Sequence, residues 1–374
     1  MSRKTQILTL LATLCTGVAF AQHVYVQTAA GVSVFKTDMA KVGSYTPDGT
    51  LVGVGSFLVT TRTGWLNTYA IKSSGAIGER VSDINMQLYS NSECGLPNGF
   101  VIHGAFVYAT VSTEVNGCYT IQTYEIGTTG LLTFKGVSTP ILAGSPLGVS
   151  GLTALGNGKF AYAWFYNGYD ESSCTGPSLV LFAAESSGTL NGAGGTVDTE
   201  TWPTLPPGNT NWALTGVMAT DATDHGALVA KALDNNGGNC GDGFGFTTFG
   251  PPQLISFTVN SHGIISSTNT YKNMPGVGNA SLLTINPAGT FLAAAVGTGT
   301  QVFKFHGASP ITTLDSSPVI GTSGYIVSYA WNGDTLYAVN GASGKVHVYD
   351  VSTSKVVEAK GSPYAIGALT VFVK

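Results

Sequence analysis

Seven segments of the chain alternate apolar and polar positions with period two and end on an aromatic ring. They are Val32-Ser-Val-Phe35, Leu66-Asn-Thr-Tyr69, Ile121-Gln-Thr-Tyr124, Leu179-Val-Leu-Phe182, Leu254-Ile-Ser-Phe257, Thr300-Gln-Val-Phe303 and Val346-His-Val-Tyr349. Period two is the signature of a strand that keeps one set of side chains on one side. The rings follow one another at steps of 34, 55, 58, 75, 46 and 46 residues. Such recurrence marks a radial array of similar sheets.

A second apolar run precedes each aromatic one: His23-Val-Tyr-Val26, Ser56-Phe-Leu-Val59, Ala105-Phe-Val-Tyr108, Lys159-Phe-Ala-Tyr162, Gly226-Ala-Leu-Val229, Thr290-Phe-Leu-Ala293 and Asp334-Thr-Leu-Tyr337. Gly-bearing turns before several of them (His103-Gly104, Asn157-Gly158, Asn332-Gly333) are hairpin chemistry. A further turn and a short strand follow each ring. The unit is therefore four antiparallel strands, A to D, and seven units make an all-β, seven-bladed β-propeller. The first B-type strand begins at His23 with no room for a strand A before it. The segment Ala365–Lys374 reads as a strand with no successor, so it is expected to supply strand A of the first blade and close the ring. A six-bladed count would orphan one aromatic strand.

Composition agrees: 10% of residues are charged and Gly numbers 50, against about 25% charged and about 7% Gly in an ordinary domain. Residues 1–21 read as a signal peptide. Arg3 and Lys4 precede the apolar stretch Ile7 to Leu14, which is too short to span a membrane, and Ala19-Phe20-Ala21 fits a cleavage site. Cleavage there leaves one domain, 22–374, exported to a periplasm or beyond, with no membrane span. Leu14 before Cys15 argues against a lipid anchor. The mature chain carries 14 basic and 20 acidic residues, net −6, which excludes a nucleic-acid partner. It is expected to be a monomer.

Export makes the remaining cysteines, Cys94, Cys118, Cys174 and Cys240, candidates for disulfides. In a propeller the D–A and B–C connections share one face, and all four fall on it. Proximity within blade 3 favours Cys94–Cys118, leaving Cys174–Cys240 to join neighbouring blades. The B–C connections of blades 3, 4 and 5 swell to Ser112–Cys118, Tyr166–Pro177 and Leu233–Pro252, and loops of such length usually carry function. They bring Tyr166, Tyr169, Asp170, Glu171, Asp234, Asp242, Phe244, Phe246 and Phe249 to one rim, above Trp164, Lys231 and Arg62 at the strand ends. Carboxylates among rings suit a sugar, a peptide or a cationic small molecule. The plainer reading is that these loops only cap the blades.

Strings such as Leu283-Thr-Ile-Asn-Pro-Ala-Gly289, Tyr337-Ala-Val-Asn340 and Gly361-Ser-Pro-Tyr364 resemble the YVTN-type, lactonase-like (6-phosphogluconolactonase-like) seven-bladed propellers of bacteria. The resemblance implies the propeller fold and, in the enzymes of that family, His, Arg and Glu chemistry near the central channel. Here the mature chain has two arginines, Arg62 and Arg80, too few for a pocket around a sugar phosphate. The histidines fall in turns or inside strands, away from the rim, so a hydrolase would need Asp170, Glu171, Asp234 or Asp242 to activate water. No nucleophile-elbow, zinc or phosphate-loop motif occurs. Ser352-Thr-Ser-Lys355 is a hairpin turn. The run Asp234 to Asp242 offers oxygen atoms but lacks the order of an EF-hand. No cofactor and no metal are called for. The expectation is an exported propeller that binds a ligand on the long-loop face, with a lactone hydrolase as the alternative.

Overall fold

Each aromatic run becomes strand C, the third of a four-stranded antiparallel sheet. The computed structural model describes residues 22–374 apart from 90–95, 98, 114–117, 139–140, 143–148, 157, 166–177, 197–198, 235–247, 298, 315–319 and 322–323. The signal peptide expected at 1–21 lies outside the described residues. The seven C strands are Gly31–Lys36, Trp65–Ile71, Cys118–Ile126, Ser178–Ala184, Gln253–Val259, Gly299–His306 and Lys345–Val351. Each pairs with strand B on its inner side, and strand D lies outside.

The seven A strands are Ala368–Val373, Thr50–Val54, Gly99–His103, Val149–Ala154, Asn209–Thr220, Ala280–Ile285 and Ile326–Asn332, for blades 1 to 7 in turn. Each touches the A strands on either side, so together they surround a central channel. The ring closes as expected. Strand B of blade 1, His23–Thr28, pairs on one side with its own strand C and on the other with Ala368–Val373, with Val24 opposite Val373 and Val26 opposite Val371. The main chains of His23 and Lys374 exchange hydrogen bonds of 2.8 and 3.0 Å. Closure leaves no blade edge open at the seam.

The core sits between blades, not around the axis. Seven buried clusters correspond one to one with the seven joints. Tyr124, Phe182, Phe257, Phe303 and Tyr349 are wholly buried in them, which is why one side of every strand C is apolar.

A second device locks the joints. In each of several C–D turns a glycine with positive φ receives the ring of the first B-strand residue of the preceding blade. A Cβ on Gly75, Gly130, Gly188 or Gly263 would come within 3.0 Å of His23, Phe57, Phe106 or Phe160 respectively. One row along, a hydroxyl donates to a carbonyl of the same turn: Tyr25 to Gly75 (2.9 Å), Tyr108 to Gly188 (3.3 Å), Tyr162 to Gly263 (2.8 Å) and Tyr337 to Thr37 (2.8 Å). Blades 2 and 5 have Val59 and Ala227 where these tyrosines stand, and there the facing C-strand residue supplies the hydroxyl. Thr68 donates to Gly130 (2.6 Å) and Ser256 to Ser309 (2.8 Å). Blade 3 has both Tyr108 and its partner Thr123, and the Thr123 hydroxyl is left buried without a hydrogen bond. Blade 6 has neither, with Ala293 opposite Val302.

Candidate functional site

The long B–C connections join strand ends that lie on one face of the ring. Phe106–Thr113 and Cys118–Ile126 flank the blade 3 loop, Phe160–Phe165 and Ser178–Ala184 the blade 4 loop, and His225–Asp234 and Gln253–Val259 the blade 5 loop. Trp164 pairs with Leu179 near the end of strand B in blade 4, and Asp234 closes strand B of blade 5. Their backbones therefore stand on the loop-bearing face. Phe249 pairs with Leu233, so the blade 5 loop returns as a short hairpin arm, Thr248–Phe249. Tyr166, Tyr169, Asp170, Glu171, Asp242, Phe244 and Phe246 lie outside the described residues, as do the side chains of Trp164 and Asp234. So do Cys94, Cys174 and Cys240. Cys118 opens strand C of blade 3 rather than ending the loop before it.

The two described cations among the candidates do not meet. Arg62 ends strand B of blade 2 and Lys231 lies in strand B of blade 5, three places round the ring. Lys231 shares a strand side with Val229, which packs into the joint with blade 6. Arg62 instead finds an acid that the sequence reading missed. Its guanidinium lies 2.6 Å from Asp48 and 5.9 Å from the centre of the Trp65 ring. Arg80 reaches the same carboxylate at 3.7 Å and Asp83 at 3.5 Å. Arg62 and Arg80 thus converge on Asp48.

Asp48 is held by its main chain. Its N–H donates to the Tyr69 hydroxyl at 2.7 Å, and its carbonyl accepts from the Thr60 hydroxyl at 2.6 Å. Gly49 follows with φ +97°, and a Cβ there would lie 2.3 Å from the Thr61 carbonyl oxygen. Only glycine fits that turn. The only local signal was Pro47-Asp48-Gly49, a common turn string. The ion pairs are about half exposed, so they orient the connection more than they stabilise it.

Nearer the axis the face has a different character. Strand A enters from this side in every blade. Its early residues are exposed along a contiguous arc: Ser281 in blade 6, Val327 in blade 7, Leu369 in blade 1 and Thr50 in blade 2. Tyr325, just before strand A of blade 7, joins them. Among the described residues, eight large apolar or aromatic side chains are exposed, and five of them (Leu88, Leu96, Tyr325, Val327 and Leu369) lie on this face. The seven A strands contain no Asp, Glu, Lys or Arg. Their one histidine, His103, closes strand A of blade 3 at the opposite face, where burial lowers its pKa. His23, His225, His262 and His306 also belong to that opposite side, and His347 is buried in strand C of blade 7, 2.9 Å from Glu358.

Solved structures share this architecture. A protein from Lactobacillus plantarum aligns over 95% of this chain and 99% of its own at 10% identity, with a TM-score of 0.55. A candidate 6-phosphogluconolactonase from Bacteroides uniformis aligns over 94% and 99% at 12% identity, TM-score 0.53. A protein of unknown function from Desulfotomaculum acetoxidans aligns over 93% and 97% at 14% identity, TM-score 0.52. The chain shares its fold, a seven-bladed β-propeller, with these proteins, a candidate lactonase among them. No protein-family model matches the chain, and no curated protein matches it in sequence. Because 433 solved chains match this one, the fold is shared widely and any activity has to be read from the site. Among the described residues no group of three or more His, Cys, Asp or Glu is placed to hold a metal, and no helix is long and apolar enough to cross a membrane.

Proposed function

We propose that the mature chain is an exported, monomeric binding protein that takes a ligand on the loop-bearing face. The observation that carries this reading is the charge-free channel wall. Hydrolysis of a lactone needs a group to deprotonate water and donors to steady the oxyanion. None of the seven A strands offers an acid, a lysine or an arginine to the channel. Exposed apolar residues concentrated on one face are instead what a binding surface presents. Trp164, Tyr166, Asp170, Glu171, Asp234 and Asp242, expected from the sequence of the long loops of blades 3 to 5, are the proposed further contributors to binding.

The second reading is a lactone hydrolase. It draws on the fold shared with the Bacteroides uniformis protein, and its water-activating carboxylate would come from the loops: Asp170, Glu171, Asp234 or Asp242. The two readings part in one experiment. The purified mature chain is assayed for turnover of a panel of sugar and aromatic lactones, and each loop acid is replaced by Asn or Gln. Binding without turnover is the expected result. Turnover lowered about 10²-fold by one acid substitution, with substrate binding kept, would overturn it.

A further inference from the structure

We propose that the channel mouth seats a neutral carbohydrate, with Tyr325 as its stacking platform. This inference rests on the ligand-binding reading above and names the ligand class. Three observations carry it. The first is that Tyr325 is 58% exposed yet is built into the wall. Its carbonyl accepts from the Gly341 N–H at 2.9 Å. A Cβ on Gly341 would lie 2.6 Å from the Tyr325 ring and 2.5 Å from Val327. The bare glycine lets one side of the ring rest on the B–C turn of blade 7 while solvent reaches the rest. The second is the arc beside it, which mixes apolar Val327 and Leu369, 40% and 52% exposed, with the exposed hydroxyl residues Ser281 and Thr50.

The third is charge. A phosphorylated or carboxylated ligand would shed water at this mouth with no opposite charge from any A strand to replace it. Lys345 pairs with Asn340 across the B–C turn of blade 7 and is not part of the A-strand wall. A sugar ring matches what is present. Its C–H face lies against the Tyr325 ring and the apolar Val327 and Leu369, while its hydroxyls meet Ser281 and Thr50 at the edge. A wholly apolar ligand would strip those hydroxyls of water without return.

The test uses the purified mature chain on an array of cello-, malto- and chito-oligosaccharides printed beside phosphorylated and sialylated glycans, with calorimetry on each hit. A neutral hit is expected, with Tyr325→Phe binding within about twofold of wild type. Tyr325→Ala and Gly341→Ala should each weaken it about tenfold or more, and Leu131→Ser on the opposite face should leave it unchanged. Capture of charged glycans alone, a neutral hit indifferent to Tyr325→Ala, or no capture at millimolar sugar would each overturn the proposal. A charged ligand held on this face would leave the binding reading standing, whereas lactone turnover would remove that reading instead.

Discussion

Gly130 tests how the blades are held together. It sits in the C–D turn of blade 3 with φ +90°, and a Cβ there would lie 2.6 Å from Cε1 and 2.8 Å from Cδ1 of Phe57 in blade 2. Replacement by alanine imposes two separable costs. A left-handed backbone costs a residue with a Cβ about 1–2 kcal/mol, and displacing a packed ring adds about 1–3 kcal/mol. The expected loss for Gly130→Ala is therefore about 2–5 kcal/mol. Gly104 provides the control, since its φ is +58° and nothing lies within 4 Å of a Cβ there. Gly104→Ala should show only the backbone part, about 1–2 kcal/mol. Urea unfolding of the mature chain, followed by tryptophan fluorescence at constant m, reads both. Shrinking the ring with Phe57→Leu should return at least about 1 kcal/mol of the Gly130→Ala loss, a coupling that a double-mutant cycle measures directly. Equal losses for Gly130→Ala and Gly104→Ala, with no coupling to Phe57, would refute ring-on-glycine docking as the joint.

The hydroxyl row makes a paired claim: Tyr25→Phe should cost about 1–2 kcal/mol by orphaning the Gly75 carbonyl, whereas Thr123→Val, which removes a hydroxyl that already lacks a partner, should be neutral or stabilising. Both are read as shifts in the same urea midpoint. Burial pushes Tyr25, Tyr108 and Tyr337 up to about 12 from an ordinary value of 10.0. The unfolded chain therefore loses these protons first, so stability should hold below pH 10 and fall as pH rises from 10 towards 12, visible in melting temperature across that range. Deleting residues 368–374 should unfold or aggregate the protein, because blade 1 loses its innermost strand; unchanged melting of the truncated chain would contradict ring closure. Non-reducing peptide mapping of exported protein should find Cys94 joined to Cys118 and Cys174 to Cys240, and four free thiols would count against it.

The fold was legible because its repeat is written locally. The alternation that ends in Phe182 or Tyr349 lies within one strand, and the final strand stands out through having no successor. The joints were not legible, for a physical reason. Tyr25, Tyr108, Tyr162 and Tyr337 read as apolar strand residues, and their rings are buried as that reading requires. Each hydroxyl, however, meets a carbonyl about 50 to 300 residues away in the chain, and no periodicity within a strand encodes such a partner. The same distance hides the blade 2 cluster. Arg62 was singled out as a cation near the rim, but Asp48 sits in an ordinary Pro-Asp-Gly turn, and the Arg80 that shares it belongs to strand D of the same blade. Sequence reasoning named Arg62 and Lys231 as cations at strand ends, without the acid that Arg62 meets.

The architecture also explains why the channel wall is free of charge, and that bears on function. Residues of the A strands lie where neighbouring blades approach most closely. Leu51, Leu152, Trp212, Leu283 and Ile326 are accordingly buried in the joints. A charge at such a position would need a buried partner across a joint, at a desolvation cost that a neutral side chain avoids. A propeller that performs acid–base chemistry from its channel has to meet that cost in several blades. This one has no acid, lysine or arginine in any A strand, and holds Asp48 in a connection, Arg62 at the end of a strand B and Arg80 in a strand D. On the binding reading proposed above the blades form a ring that presents a surface, and the alternative hydrolase reading has to draw its acid from outside the A strands.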